Sequence, residues 1–188
     1  MTWNIPNILT VFRLLCAPGV ALVFLILPRP LADWAALILF VSASTTDFLD
    51  GYLARKWDQM SKFGTMLDPI ADKAMVVTAL AVLTMLHGIN ALVVIPAAFI
   101  LLRETFVSGL REFLGDTAGT LKVTKLAKWK TTAQMVAIAA LFGYGALDVP
   151  PLFTLGILIL WVAAVLTLLT GWDYLSKALP YLRDDHDA

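Results

Sequence analysis

Asp47-Phe48-Leu49-Asp50-Gly51-Tyr52-Leu53-Ala54-Arg55, with Gly64, Asp68 and Asp72 behind it, sets four carboxylates into a chain that is otherwise mostly apolar. Asp47 and Asp50 are three positions apart, Asp68 and Asp72 four apart; on a helix both spacings put the pair on one face. Two such helices facing each other bring four carboxylates together. At about 4 Å and an effective dielectric near 20, each like-charged pair repels by roughly 4 kcal/mol, so the cluster calls for a strong counter-charge. Divalent cations supply it. Oxygen donors in this number suit Mg²⁺ or Mn²⁺, which stay partly hydrated and share their coordination with substrate phosphates.

Outward from this stretch, composition says where the cluster sits. The chain is 60% hydrophobic and only 15% charged, with a mean hydropathy of +0.81, whereas soluble domains average about 25% charged residues. An all-α integral membrane protein is expected. The 14 basic and 14 acidic residues cancel, so only the placement of charge is informative. Cys16 is the single cysteine, which excludes an intramolecular disulfide and a cysteine-rich metal site. The first apolar stretch lacks a small-residue cleavage site and further apolar segments follow, so it reads as retained rather than as a removed signal peptide.

Residues 1–16 read as an amphipathic approach to the membrane, with Asn7, Thr10 and Arg13 on one face and Ile8, Leu9, Val11 and Phe12 on the other. An interfacial anchor is the plainer expectation, and a polar face turned into a site the sharper one. The apolar run continues to Leu27 and closes at Pro28-Arg29-Pro30, long enough with the preceding turns to cross a core of about 30 Å. Five more spans are expected at about 33–54, 64 or 68 to 86, 91–113, 129–144 and 152–175. Asp68 could open the third as an N-cap with Pro69 at the first helical position, a reading that leaves Asp72 unexplained. No repeat or separate soluble domain appears, so residues 1–188 read as one membrane domain.

The connections after spans one, three and five carry one basic residue, Arg29. Those after two, four and six carry Arg55, Lys56, Lys62, Lys122, Lys125, Lys128, Lys130, Lys177 and Arg183. The positive-inside rule then puts both termini and the aspartates at the cytoplasmic side. An aspartate at a span centre costs roughly 2.5–3.5 kcal/mol, so four together point to function. Gly51 permits close approach of a ligand or metal, Ala54 keeps the same face small, and Arg55 offers a bidentate donor to phosphate. Carboxylates, small residues and an arginine together suggest a metal-chelated diphosphate.

The pattern Asp47-x2-Asp50-Gly51-x2-Ala54-Arg55-x8-Gly64-x3-Asp68-x3-Asp72 resembles the full signature of the CDP-alcohol phosphotransferase family. Asn4-Ile5-Pro6-Asn7-x-Leu9-Thr10-x2-Arg13, Arg103-Glu104 with Ser108-x-Leu110-Arg111, and Lys128-x-Lys130-Thr131-x2-Gln134 resemble a bacterial branch of it. Ala127 stands where the resemblance implies glycine. The resemblance implies six transmembrane helices, a homodimer in the bacterial inner membrane, and metal-dependent attack of an alcohol on CDP-diacylglycerol with release of CMP. It implies Asp47, Asp50, Asp68 and Asp72 as ligands of two divalent ions and Asp72 as the base that takes the acceptor proton. Asn7, Gly51, Ala54, Arg55 and Gly64 are expected to line the CDP pocket.

Lys73, Arg103, Arg111, Lys128 and Lys130 form a surplus of cations beside the same mouth, which suits an acceptor with its own phosphate. The expected acceptor is sn-glycerol 3-phosphate; inositol phosphate offers the same anionic handle, and serine or phosphatidylglycerol serve other branches. Glu104 could instead neutralise Arg103 structurally. An intramembrane prenyltransferase would need more helices and a different spacing, and a non-enzymatic cation carrier leaves the basic cluster without a purpose. Cys16, His87 and His186 are poorly placed as covalent nucleophiles, so direct in-line displacement is expected. No nucleic-acid partner is expected.

Overall fold

The structure, a computed structural model, describes residues 4–56, 61–115 and 125–182, with only the helical backbone for residues 48–56 and 125. Among these the chain is all-helical: α1 (Ile5–Ile26), α2 (Leu31–Lys56), α3 (Lys62–His87), α4 (Ala91–Leu114), α5 (Lys125–Leu147) and α6 (Pro150–Leu182). Four of them, α1, α3, α4 and α6, are long and apolar enough to cross a membrane. Lys122, Arg183 and His186, named from the sequence, lie outside the described residues.

Local chemistry starts and stops the helices. The Asn4 side chain accepts from the Asn7 amide at 3.0 Å, capping α1 just before Pro6, where a missing amide proton costs nothing. Ser61 caps α3 by accepting from the Gly64 amide at 3.0 Å, and Asn90 caps α4 through the Leu92 amide. Gly88 follows α3 with φ +60°, a conformation that only glycine adopts cheaply. Because Ser61 is the cap, α3 begins at Lys62, two residues before the earlier of the two starts expected from the sequence. Asp68 is therefore not an N-cap, and Pro69 sits within the helix.

The helices close into a ring in the order α1, α2, α5, α6, α4 and back through α3 to α1. Val20, Phe40, Leu80, Leu83, Ile100, Ile138, Leu141, Phe142 and Leu160 fill its interior with next to no exposure. Phe142 lies with its ring centroid 6.2 Å from those of Phe24 and Phe40, within the range of favourable aromatic pairing. Leu25, Leu102, Phe113, Leu158 and Trp172 face outward, as expected of helices whose solvent is lipid.

One end of the bundle is closed by a polar pair. Buried Asp33 on α2 accepts from Arg29 at 2.7 and 2.8 Å. A Cβ on Gly145 of α5 would lie 2.1 Å from Asp33 Oδ1, so glycine there is what lets the pair lie against the helix. His87 stacks near Tyr144 and Phe153 at this end. It is thus at the opposite end of α3 from Asp68 and Asp72.

Among the described residues, the amphipathic approach expected over residues 1–16 and the first span form one helix, and its polar face is turned inward, as the sharper of the two expectations had it. Ile5–Ile26 run as one continuous α1, and the face carrying Asn7, Thr10 and Arg13 is 1–2% exposed. Its polar groups turn inward because carboxylates and hydroxyls of α2 and α3 meet them there; Ile5, Ile8, Phe12 and Leu15 take the outer face.

Candidate active site

Three helices build the acidic end. Arg13 on α1 directs one guanidinium nitrogen, Nη1, to Asp47 Oδ1 of α2 at 2.8 Å and to Asp72 Oδ1 of α3 at 2.6 Å. The Arg13 side chain is 2% exposed, whereas those of Asp47 and Asp72 are 45% and 42% exposed. The cation is thus fully withdrawn while the carboxylates open outward. One turn before Arg13 on the same face, Thr10 donates to Asp68 Oδ1 at 2.7 Å. A further turn back, Asn7 Oδ1 accepts from Ser61 Oγ at 2.7 Å.

Asp47, Asp68 and Asp72 are thus all tied to one face of α1, at successive turns. Oxygen donors from two helices converge on one guanidinium nitrogen of Arg13. That donor set fits Mg²⁺ or Mn²⁺ in kind. Among the described residues no three acidic, histidine or cysteine side chains already form a metal cage. The fourth aspartate, Asp50, and the candidate donor residues Gly51, Ala54 and Arg55 lie on α2, but their side chains are outside the described set.

The structure brings Asn7 and Gly64 together. A Cβ on Gly64 would lie 2.8 Å from Asn7 Oδ1 and 3.3 Å from Ser61 Oγ, so this glycine sets how closely α1 and α3 approach. Gly64→Ala is expected to lower stability by about 1–3 kcal/mol, because the added methyl must push apart a half-buried hydrogen-bonded pair. Thermal unfolding of the purified variant measures this, and a wild-type melting temperature would refute the close-packing account.

A cationic face lies beside the carboxylates. Lys73, the residue after Asp72, donates to Ser108 of α4. Ser108 shares a face of α4 with Glu104 and Arg111, at four and three residues' spacing. Glu104 accepts from Arg103 at 3.2 Å and from Lys130 of α5, the latter in a close ion pair. Arg111 lies over the Tyr174 ring of α6 at 5.2 Å, within cation–π range. Arg103 folds its stem over Gly171, where a Cβ would stand 3.0 Å away.

Glu104 therefore does pair with Arg103, as the structural alternative expected, but it also holds Lys130. One carboxylate cannot neutralise two cations. Lys130 is 5% exposed, and burying an ammonium this deeply needs a partner of the kind Glu104 provides. Arg103 Nε, Gln134 Nε2, Thr167 Oγ1 and the Tyr174 hydroxyl are buried with no hydrogen-bond partner among the described residues. Among the expected cations Lys130 is buried and Lys73 and Arg103 are half-buried, whereas Arg111 and, on the first turn of α5, Lys128 are exposed.

Arg13, Thr10, Ser61, Glu104 and Ser108 were not among the residues singled out as site groups from sequence. For Arg13 and Thr10 the available signal was the three-residue polar spacing on an otherwise apolar helix.

The sequence matches the CDP-alcohol phosphatidyltransferase family over residues 3–169, and the chain belongs to that family. A relative from Cereibacter sphaeroides, named CDP-diacylglycerol–glycerol-3-phosphate 3-phosphatidyltransferase, is 55% identical over 98% of this chain and 100% of its own length. Proteins of the same name from Rickettsia bellii and Shigella flexneri serotype 5b are 43% and 41% identical, covering 95% and 98% of this chain and 97% and 100% of their own.

Proposed function

We propose that this protein transfers the phosphatidyl group of CDP-diacylglycerol to sn-glycerol 3-phosphate, giving phosphatidylglycerophosphate and CMP. It is a transferase of phospholipid biosynthesis in a membrane. Near full-length similarity to proteins bearing that activity in their names supports the chemistry. The observation that carries it in the structure is the step from Asp72 to Lys73. Asp72 turns to the carboxylate centre and the next residue turns to the cationic face of α4, so a base and an anion-binding wall are joined at one turn of one helix.

In this reading a hydroxyl of glycerol 3-phosphate attacks the diacylglycerol-bearing phosphorus in line. Its proton passes to Asp72, and the bond from that phosphorus to CMP breaks. Asp47, Asp50, Asp68 and Asp72 are the residues that would hold Mg²⁺ or Mn²⁺, and two such ions would neutralise charge on the diphosphate and on departing CMP. Asn7, Gly51, Ala54, Arg55 and Gly64 would line the CDP pocket. Lys73, Arg103, Arg111 and Lys130 would receive the acceptor phosphate, with exposed Lys128 guiding anions from outside.

All six helices would span the membrane, α2 and α5 included, each with apolar side chains such as Ile38 and Val136 on its outer face. The first turns of α1 would lie at the cytoplasmic interface. The site would open to the cytoplasm of a bacterial inner membrane, and the protein would work as a homodimer. Purified full-length protein given cytidine-labelled CDP-diacylglycerol should release CMP with glycerol 3-phosphate and stop doing so in chelator. Preference for inositol phosphate, serine or phosphatidylglycerol would overturn the acceptor assignment.

A further inference from the structure

Arg13 belongs to none of the roles above, yet it occupies the centre of the acidic end. Its side chain is 2% exposed, and one nitrogen serves Asp47 and Asp72 together, at 2.8 and 2.6 Å. A divalent ion held by those same oxygens would need them about 2.0–2.2 Å from itself, around nearly the same point. The nitrogen and the ion cannot both be there.

We propose that Arg13 is a built-in stand-in for the divalent cation. In the metal-free protein its guanidinium holds Asp47 and Asp72 convergent against their mutual repulsion and so keeps α1, α2 and α3 in register. When the ion loads, the guanidinium must leave the point between the two carboxylates. Deeply buried, it then needs another anion, and the diphosphate of the donor is the one this reaction brings. Arg13 is thus a positioning residue that sets metal affinity and makes it depend on the donor. The inference rests on the aspartates being metal ligands.

The physical consequence is competition. A site occupied by an internal cation for most of the time binds an external one more weakly, in proportion to the fraction of time it is vacant. Removing the internal cation should strengthen metal binding while weakening the metal-free fold. A merely structural ion pair would do neither in that combination.

The test uses purified full-length wild type, Arg13→Gln and Arg13→Lys without donor. Mn²⁺ binding is read by electron paramagnetic resonance, and thermal unfolding is followed in chelator and in saturating Mg²⁺. Arg13→Gln should bind Mn²⁺ about tenfold more tightly than wild type. It should also melt below wild type in chelator, with the gap narrowing in Mg²⁺. Arg13→Lys, with a shorter arm and a single compact charge, should move both readouts the same way by less, and it carries the test if the glutamine variant does not fold. Equal or weaker Mn²⁺ binding in the variants, or a melting gap indifferent to Mg²⁺, would overturn the inference and leave the proposed reaction standing. Absence of Mn²⁺ binding in wild type and in both variants would overturn the metal-ligand reading and this inference with it.

Discussion

The Asp72→Asn variant is expected to release CMP from CDP-diacylglycerol about 10²- to 10⁴-fold more slowly than wild type, the range typical of losing a positioned general base. Asparagine keeps the size of the side chain and an oxygen for Arg13 to donate to, so α3 should stay seated against α1. What disappears is the ability to take the acceptor proton. Asn substitutions at Asp47, Asp50 and Asp68 should also depress activity, but through metal binding alone: each removes a charged ligand, whereas Asp72→Asn removes a ligand and the base together. Raising Mn²⁺ should therefore recover part of the rate in those three and none in Asp72→Asn. Initial rates across a Mn²⁺ titration, with unfolding temperatures as a control for folding, separate the two causes. Full activity in Asp72→Asn would end the assignment of the base.

On the acceptor side, Lys130→Met is expected to raise the KM for glycerol 3-phosphate by about 10- to 100-fold. That corresponds to losing one charge-assisted hydrogen bond to phosphate, roughly 1.5–3 kcal/mol. Methionine matches the length and apolar stem of lysine, and Glu104 retains Arg103 as its partner at 3.2 Å, so the carboxylate is not stranded. The KM for CDP-diacylglycerol should stay near wild type, because Lys130 reaches Glu104 of α4 rather than the carboxylates of α2 and α3. If both KM values rose together, or only stability fell, the cation would be a structural partner of Glu104 and not a phosphate ligand.

The acidic pair spacings were legible because they are local. Three- and four-residue offsets on a helix determine a shared face whatever the helix packs against. The same holds for the polar stripe of Asn7, Thr10 and Arg13. Its destination was not legible, since a row of polar side chains on an apolar helix suits a lipid headgroup layer and a set of buried carboxylates equally well. Hydrophobic patterning measures contrast between two faces and carries no information on which polar environment meets the polar one. The choice between Gly64 and Asp68 as the start of α3 was open for a related reason. Pro69 after Asp68 mimics a helix beginning, and the true cap, Ser61, lies in a polar connection with many serviceable residues.

Gly64 shows a second limit. Read along the chain it is room for a ligand; in the fold a Cβ there meets Asn7, fifty-seven positions earlier in sequence. Glu104 is a third case. Its neighbour Arg103 suggested a simple local pair, and only the fold brings the Lys130 side chain of α5 across to it, which turns neutralisation into a shared and incomplete one.

The sequence by itself determined the all-helical membrane class, the helix order, the family, and which residues carry charge into an apolar setting. Those follow from composition and from intervals of a few residues. Only the tertiary structure decided that α1 supplies the guanidinium between Asp47 and Asp72, that Thr10 holds Asp68, and that Lys73 links the carboxylate centre to α4. Each of these joins residues far apart in sequence, and their proximity arises from the ring order α1, α2, α5, α6, α4, α3. That order depends on which helix surfaces fit one another once every backbone polar group is already satisfied within its own helix.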